Sequence, residues 1–205
     1  MTYRIAAVAA LVVLAASVST APVGAAPRAA TVTAADVRAS LLTAKDVFGA
    51  GRHPPTTHWR SPDSLCGVRL PTPSIRLNRG WAHHTVAPPP QGGFTTRRVT
   101  GAAYGDSRTA HRAVRRAYNS ETTCSSWVVH RSTVMAHPDG RFRLHFSNTT
   151  AYCTVAWTGS PHARQYICRF VRENVRYTAE VTHYGTGTRR LARRLTRLAV
   201  AKVYR

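Results

Sequence analysis

The chain has 205 residues, with 29 Lys or Arg against 8 Asp or Glu, and a formal net charge of +21. Such a surface attracts polyanions, namely nucleic acid, anionic lipid or teichoic-type wall polymers. No apolar run reaches the roughly 20 residues that a bilayer span needs, which excludes a membrane-spanning helix. Arginine supplies nearly all the positive charge. GC-rich coding also produces that bias, but it does not account for the shortage of acids.

The N-terminus has the pattern of a cleaved export signal. Arg4 is a positive n-region, Ile5 to Val18 is a 14-residue apolar stretch, and Val23-Gly24-Ala25 fits the small-x-small rule with cleavage before Ala26. Loss of Arg4 leaves a mature charge of +20. No cysteine precedes the cleavage site to take a lipid, so release or loose wall association is expected over anchoring. Residues 1–25 are thus read as signal, 26–32 as a flexible leader, and 33–205 as one domain of an ordinary size for a single core.

Along that domain, Ala34 to Leu42 reads as a helix capped by Thr33, with Val37, Leu41 and Leu42 on one side. A further helical turn over Thr43 to Phe48 is ended by Gly49 and Gly51. Prolines and glycines are dense from Arg52 to Gly93, which predicts a long irregular segment tied down at Cys66 and by burial of Trp59 and Trp81. Phe94 to Tyr104 reads as a strand. Gly105-Asp106-Ser107 then caps a helix over Arg108 to Asn119, whose stripe is Ala110, Ala113, Val114, Ala117 and Tyr118.

After Cys124 the period changes to two. Trp127–Met135 and Arg141–Ser147 form a predicted hairpin about Pro138-Asp139-Gly140. In its second arm Phe142, Leu144 and Phe146 share one face, with Arg141, Arg143 and His145 on the other. Tyr152–Thr158 and Arg164–Val171 make the next hairpin, and Val175–His183 is a third arm. There Val175, Tyr177, Ala179 and Val181 face inward, while Arg176, Thr178, Glu180 and Thr182 take the outer, solvated face. A helix from about Thr188 to Tyr204 closes the chain.

Four cysteines allow three pairings, and the strand register selects among them. A turn centred between Ser160 and Pro161 sets Cys153 opposite Cys168, with Cβ atoms at roughly 4.5–5.5 Å, within reach of a disulfide. A tight turn at Glu173-Asn174 then sets Phe170 opposite Tyr177, Cys168 opposite Ala179, and Tyr166 opposite Val181. Three strands so share one apolar face, and a one-residue slip would destroy that agreement. Cys66 and Cys124 remain to tie the proline-rich segment to the end of the Arg108–Asn119 helix. In an exported chain, structural disulfides are the expected use of all four.

The order of parts resembles a known family. A "Ser-Leu-Leu-Thr-Ala-Lys-Asp-Val" start, a first cysteine in a proline-rich stretch, a strand–helix unit ending at Cys124, a meander with a second cysteine pair and a closing helix are similar to the PknH-like extracellular sensor domain of actinobacteria. The likeness spans roughly residues 34–204. It implies an antiparallel sheet with packed helices, two disulfides and a cleft for an unidentified ligand. The chain departs from that family in showing no kinase or transmembrane portion and in being far more basic, so signalling is not carried over.

No constellation specific to an enzyme is found. The chain has no Gly-x-Ser-x-Gly elbow, no His-Glu-x-x-His and no phosphate loop, and no cofactor motif. His83-His84 fails as a metal pair because adjacent residues on an extended chain face opposite ways. A ribonuclease-like hydrolase would draw on His145, Glu180 and His183, but Glu180 and His183 differ by three and so fall on opposite strand faces. In the closing helix Leu191, Leu195, Leu198 and Ala199 form an apolar stripe. Arg189, Arg190, Arg193, Arg194 and Arg197, with Lys202 and Arg205, cover much of the rest. Such a helix docks on the sheet with its arginines available to an anionic wall polymer or nucleic acid; a membrane-active helix is the alternative use. The sequence therefore reads as one α+β domain, a mainly antiparallel sheet of about six strands with helices packed on one face and two disulfides. Its expected role is secreted, non-enzymatic, sensor-like binding at the cell envelope, without metal or cofactor.

Overall fold

Thr33 and Thr43 open the first two helices for the same local reason. The computed structural model describes residues 31–51, 54–57, 68–85, 93–123, 127–128, 135–158, 163–184 and 188–205. In it each threonine hydroxyl accepts the N–H of the aspartate three residues on, whose carboxylate accepts the threonine N–H in return. These capping boxes start α1 (Ala34–Ser40) and α2 (Ala44–Phe48). Gly49, at φ 85°, ends α2 by donating its N–H to the Lys45 carbonyl. The export-signal residues 1–25, most of the leader, Cys66, Cys124 and Trp59 lie outside the described residues.

Among the described residues eight antiparallel strands form one sheet in the order β1-β2-β3-β8-β7-β6-β5-β4. They are β1 (Thr56–Thr57), β2 (Ile75–Thr85), β3 (Gly93–Ala103), β4 (Trp127–Val128), β5 (Met135–His145), β6 (Thr150–Thr158), β7 (Ala163–Arg172) and β8 (Val175–Tyr184). The sheet thus exceeds the six strands expected. Most of the difference is β2, which runs for 11 residues inside the stretch read as irregular. Pro71 and Pro73 precede that strand and no proline lies within it, so none of its ladder donors is missing. His83 and His84, expected in a loop, are consecutive positions of β2.

Pro138-Asp139-Gly140 is not a hairpin turn. β5 passes straight through it, pairing Pro138 with Ala156 and Gly140 with Val155, so Asp139 is the extra residue of a bulge. Gly140 supplies the positive φ, 150°, that the irregularity uses. The tight turn joins β5 to β6 instead, where Phe146 N–H donates to the Thr149 carbonyl at 2.9 Å. At the β7–β8 turn Glu173 takes φ 54°, and Asn174 bonds the backbone of Tyr104 through both its own carbonyl and its side-chain amide.

Helices cover both faces of the sheet, not one. On the first face α1, α2 and α4 (Thr188–Val203) pack over Val99, Ala103, Tyr166, Phe170, Val175, Tyr177, Ala179 and Val181. Gly101 of β3 lies under α1 so closely that a Cβ there would stand 2.6 Å from Val37 Cγ1. On the second face α3 (Ser107–Thr123) lays Ala110, Ala113 and Val114 on Ala102, Tyr104 and Val171. Asp106 caps α3, its carboxylate accepting the Thr109 N–H and hydroxyl, each at 2.7 Å. Amphipathic helices must bury their apolar stripes, and that of α3 meets the second face.

Candidate functional site

The cysteine register comes out as the alternation requires. Cys153 faces Cys168, Cys168 faces Ala179, Phe170 faces Tyr177 and Tyr166 faces Val181. The Cys153–Cys168 disulfide joins β6 to β7 across a Cα–Cα distance of 4.0 Å, with both residues fully buried. It is a structural cross-link inside the first-face core, where neither sulfur is open to chemistry. The Cys66–Cys124 pairing lies outside the described residues.

α4 is seated on β8 and β7 by Ala192, Leu195, Thr196, Ala199, Val200 and Val203. Leu191 and Leu198 of the expected stripe sit at its margin, half-buried. Arg189, Arg190, Arg193, Arg194 and Arg197 are all exposed. At 3.6 residues per turn they fall on one arc of about 140°, so the helix presents a continuous guanidinium surface. No acid occurs in α4 to neutralise it, and Lys202 is engaged with Asp46 of α2 at 3.0 Å. Arg189 lies over the Phe142 ring, 4.8 Å from its centroid. Burial, and secondarily the positive field of Arg194, makes Arg97 on the adjoining strand easier to deprotonate than a free arginine. A space of about 20 Å³ lies at this contact, between Val47, Arg97 and the leucines of α4. That is room for a water and no more.

The sequence pattern missed the second face entirely. Arg176 and Glu180, expected in solvent, are each 5% exposed, and Arg98, Thr154, Gln165, Arg169 and Glu121 are buried with them. Glu180 accepts from Arg98 Nε at 3.0 Å and Nη2, and from Gln165 Nε2 at 2.9 Å. Glu121, reaching down from α3, accepts both terminal nitrogens of Arg169, one at 2.7 Å, and the Thr154 hydroxyl. Arg176 lies over the Tyr104 ring at 5.8 Å. A charge survives burial when it is paired and hydrogen-bonded. The matching signal in the sequence is Glu121, an acid following the apolar stripe of an otherwise basic helix.

The hydrolase candidates do not meet. Glu180 is sequestered by Arg98 and Gln165 on the second face. His183 belongs to the first face, opposite Arg164, with Nδ1 at 2.6 Å from the Thr95 hydroxyl. His145 is exposed at the other end of the sheet, opposite Thr150. By strand rise and spacing it is about 13 Å along and about 14 Å across from Glu180. Among the described residues no group of three His, Cys, Asp or Glu could hold a metal ion, and no helix is long and apolar enough to cross a membrane.

No family model and no curated protein matches the chain. Among solved structures it is similar to the crystal structure of the extracellular domain of PknH from Mycobacterium tuberculosis. The identity is 12%, the TM-score 0.45, and the match covers 84% of this chain and 97% of that one. The resemblance read from the order of parts is therefore met by a weak structural likeness only, too distant to carry function across.

Proposed function

We propose that this chain is an exported, non-enzymatic, sensor-like binding domain of the cell envelope, and that its α4 face engages a polyanion, either an anionic wall polymer or nucleic acid. The observation that carries the reading is the exposure of Arg189, Arg190, Arg193, Arg194 and Arg197 on one side of a helix whose other side is fixed to the sheet. A docked helix holds its guanidinium groups in place before the ligand arrives, which lowers the ordering cost of binding. Export is supported by the signal pattern of residues 1–25 and by the Cys153–Cys168 disulfide, which suits an oxidising compartment. The membrane-active alternative needs the apolar side of α4 free, and Leu195, Ala199, Val200 and Val203 of that side are buried against the sheet. The hydrolase alternative needs His145, Glu180 and His183 together, and they lie apart.

The test is a titration of fluorescent single-stranded RNA and of a poly(glycerol phosphate) across salt. Five phosphate contacts on RNA give a log–log slope near −3.5, so affinity should fall about 100-fold between 50 and 200 mM salt. Arg190→Ala, Arg193→Ala and Arg197→Ala combined should cut the slope to about −1.4, the share of two remaining contacts. Poly(glycerol phosphate) binding with no RNA binding would assign the wall polymer. A flat salt profile with both polymers, or turnover of the RNA, would sink the proposal.

A further inference from the structure

A second opening lies at the end of the sheet where β7 runs out, lined from the α3 side by His111, Val114, Arg115 and Tyr152 and from the α4 side by Phe170, Arg172 and Tyr204. It occupies the corner between the first half of α3, the β5–β6 turn and the end of β7, and encloses about 470 Å³. That volume lies within the range of small-molecule sites, about 300–1,000 Å³. Its lining carries the guanidinium groups of Arg115 from α3 and Arg172 from β7 and the ring of His111, against one acid, Glu173. Asn148, Thr149 and Thr150 of the turn add neutral hydrogen-bonding groups. Tyr152, Tyr204 and Val114 supply aromatic and apolar walls.

Ring contacts fix two of the lining side chains. The Arg172 guanidinium lies over the Tyr204 ring, 5.4 Å from the centroid. Tyr204 is in turn held by its hydroxyl, which donates to the Val171 carbonyl at 2.9 Å. A guanidinium laid over a ring keeps its N–H edge for a planar or tetrahedral oxyanion. Tyr152 is braced in the same way, with Arg143 over its ring at 5.3 Å and Tyr118 edge-on at 5.3 Å. Arg172 and Glu173 are both largely exposed and 3.7 Å apart, a pairing too weak to withhold the arginine from a stronger anion. The outer side of α3 adds the exposed Arg108, Arg112 and Arg116, so the field over the opening is positive.

We infer that this corner is a binding site for a small organic phosphate, a phosphate monoester with an aromatic ring or an apolar body of that size. The phosphate sits among Arg115, Arg172, His111 and the turn hydroxyls, and the body lies against Tyr152 and Tyr204. Two guanidinium groups, the His111 ring and three polar turn residues offer more donors than the two oxygens of a carboxylate take up, but they match a phosphate. The site stands independently of the α4 surface.

The probe is phenyl phosphate, with inorganic phosphate and benzyl alcohol as the two halves of the ligand, followed by backbone amide shifts in NMR. Saturable shifts at Thr149, Thr150 and Tyr152 are expected, with phenyl phosphate at least tenfold tighter than either half. Arg115→Ala and Arg172→Ala should each weaken it about tenfold; both side chains are exposed, so the fold survives their loss. The Arg193→Ala, Arg194→Ala double variant should leave it unchanged, separating this site from the α4 face. No saturable binding, inorganic phosphate binding equally well, or weakening only by the α4 variant would each overturn the assignment.

Discussion

Removing Glu121 tests the buried second face most directly. Its side chain is fully buried and takes both terminal nitrogens of Arg169 together with the Thr154 hydroxyl. Glu121→Ala would leave the Arg169 guanidinium, itself 7% exposed, buried without its partner, a change worth about 3–5 kcal/mol. For a domain of this size each kcal/mol moves the melting temperature by about 2–4 °C, so a fall of roughly 6–20 °C is expected. The paired variant Glu121→Leu, Arg169→Met replaces the ion pair with apolar groups of similar shape and should recover most of the loss. Thermal and urea unfolding of the oxidised protein would measure both. The reasoning fails if Glu121→Ala stays within about 1 kcal/mol of the parent. It fails equally if the double variant loses as much as the two single changes added together.

Three further outcomes follow from the packing. Gly101→Ala forces a methyl group against Val37 and Leu41 of α1 and should cost about 1–3 kcal/mol of overpacking, read as an earlier urea midpoint. Replacing Cys153 and Cys168 by alanine releases a 15-residue closure and should cost about 3 kcal/mol, an upper value from loop entropy. Asp36 and Asp106 are held below their ordinary value of 3.8 by hydrogen bonds from Thr33 and Thr109. Burial raises Asp46, but bonds from Thr43 and Lys202 outweigh it and lower the carboxyl overall. A depressed carboxylate stabilises the fold above its unfolded value and ceases to do so as pH falls through its folded one. Stability should therefore drop below about pH 4. Asp106→Asn, which keeps the cap without the titration, should make that acid limb shallower.

Where the pattern was strictly periodic the sequence was legible to the residue. The Cys153–Cys168 opposition and the Phe170–Tyr177 and Tyr166–Val181 pairs follow from alternation alone, because a slip of one would turn every apolar side chain outward. α4 was legible too, since an arginine arc opposite a leucine stripe leaves one way to dock. What misled was polarity and punctuation. Arg176, Thr178 and Glu180 alternate as a solvated face would, but α3, far along the chain, packs on that face with Glu121 and part of it is interior. Pro138-Asp139-Gly140 has a turn's composition, but β6 supplies a partner on each side of it, and a paired chain absorbs the extra residue as a bulge. β2 was hidden because its flanking prolines were counted with it. No local signal betrays the corner at His111, Arg115 and Arg172, since its walls come from segments that meet only in the folded sheet.

The two faces of the sheet solve different problems. The first is a conventional apolar core, with large side chains interlocked beneath α4. The second meets a helix whose buried stripe is largely alanine, and small side chains slide past one another with little change in buried area. Directional bonds can fix what such packing leaves loose: Glu121 accepts Arg169 in a forked pair, and a guanidinium fork tolerates little displacement. That bond lies near the C-terminal end of α3, while His111 and Arg115 line the opening nearer its start. A helix started by the Asp106 cap, seated by Ala110, Ala113 and Val114 and tied near its C-terminal end by the ion pair carries His111 and Arg115 to a defined place. On this account Glu121 is a positioning residue. Glu121→Ala, measured at a temperature where it remains folded, should weaken phenyl phosphate binding while leaving RNA binding to α4 intact. Equal weakening of both would mean that the whole domain had loosened, and no change in either would mean that the alanine stripe seats α3 unaided.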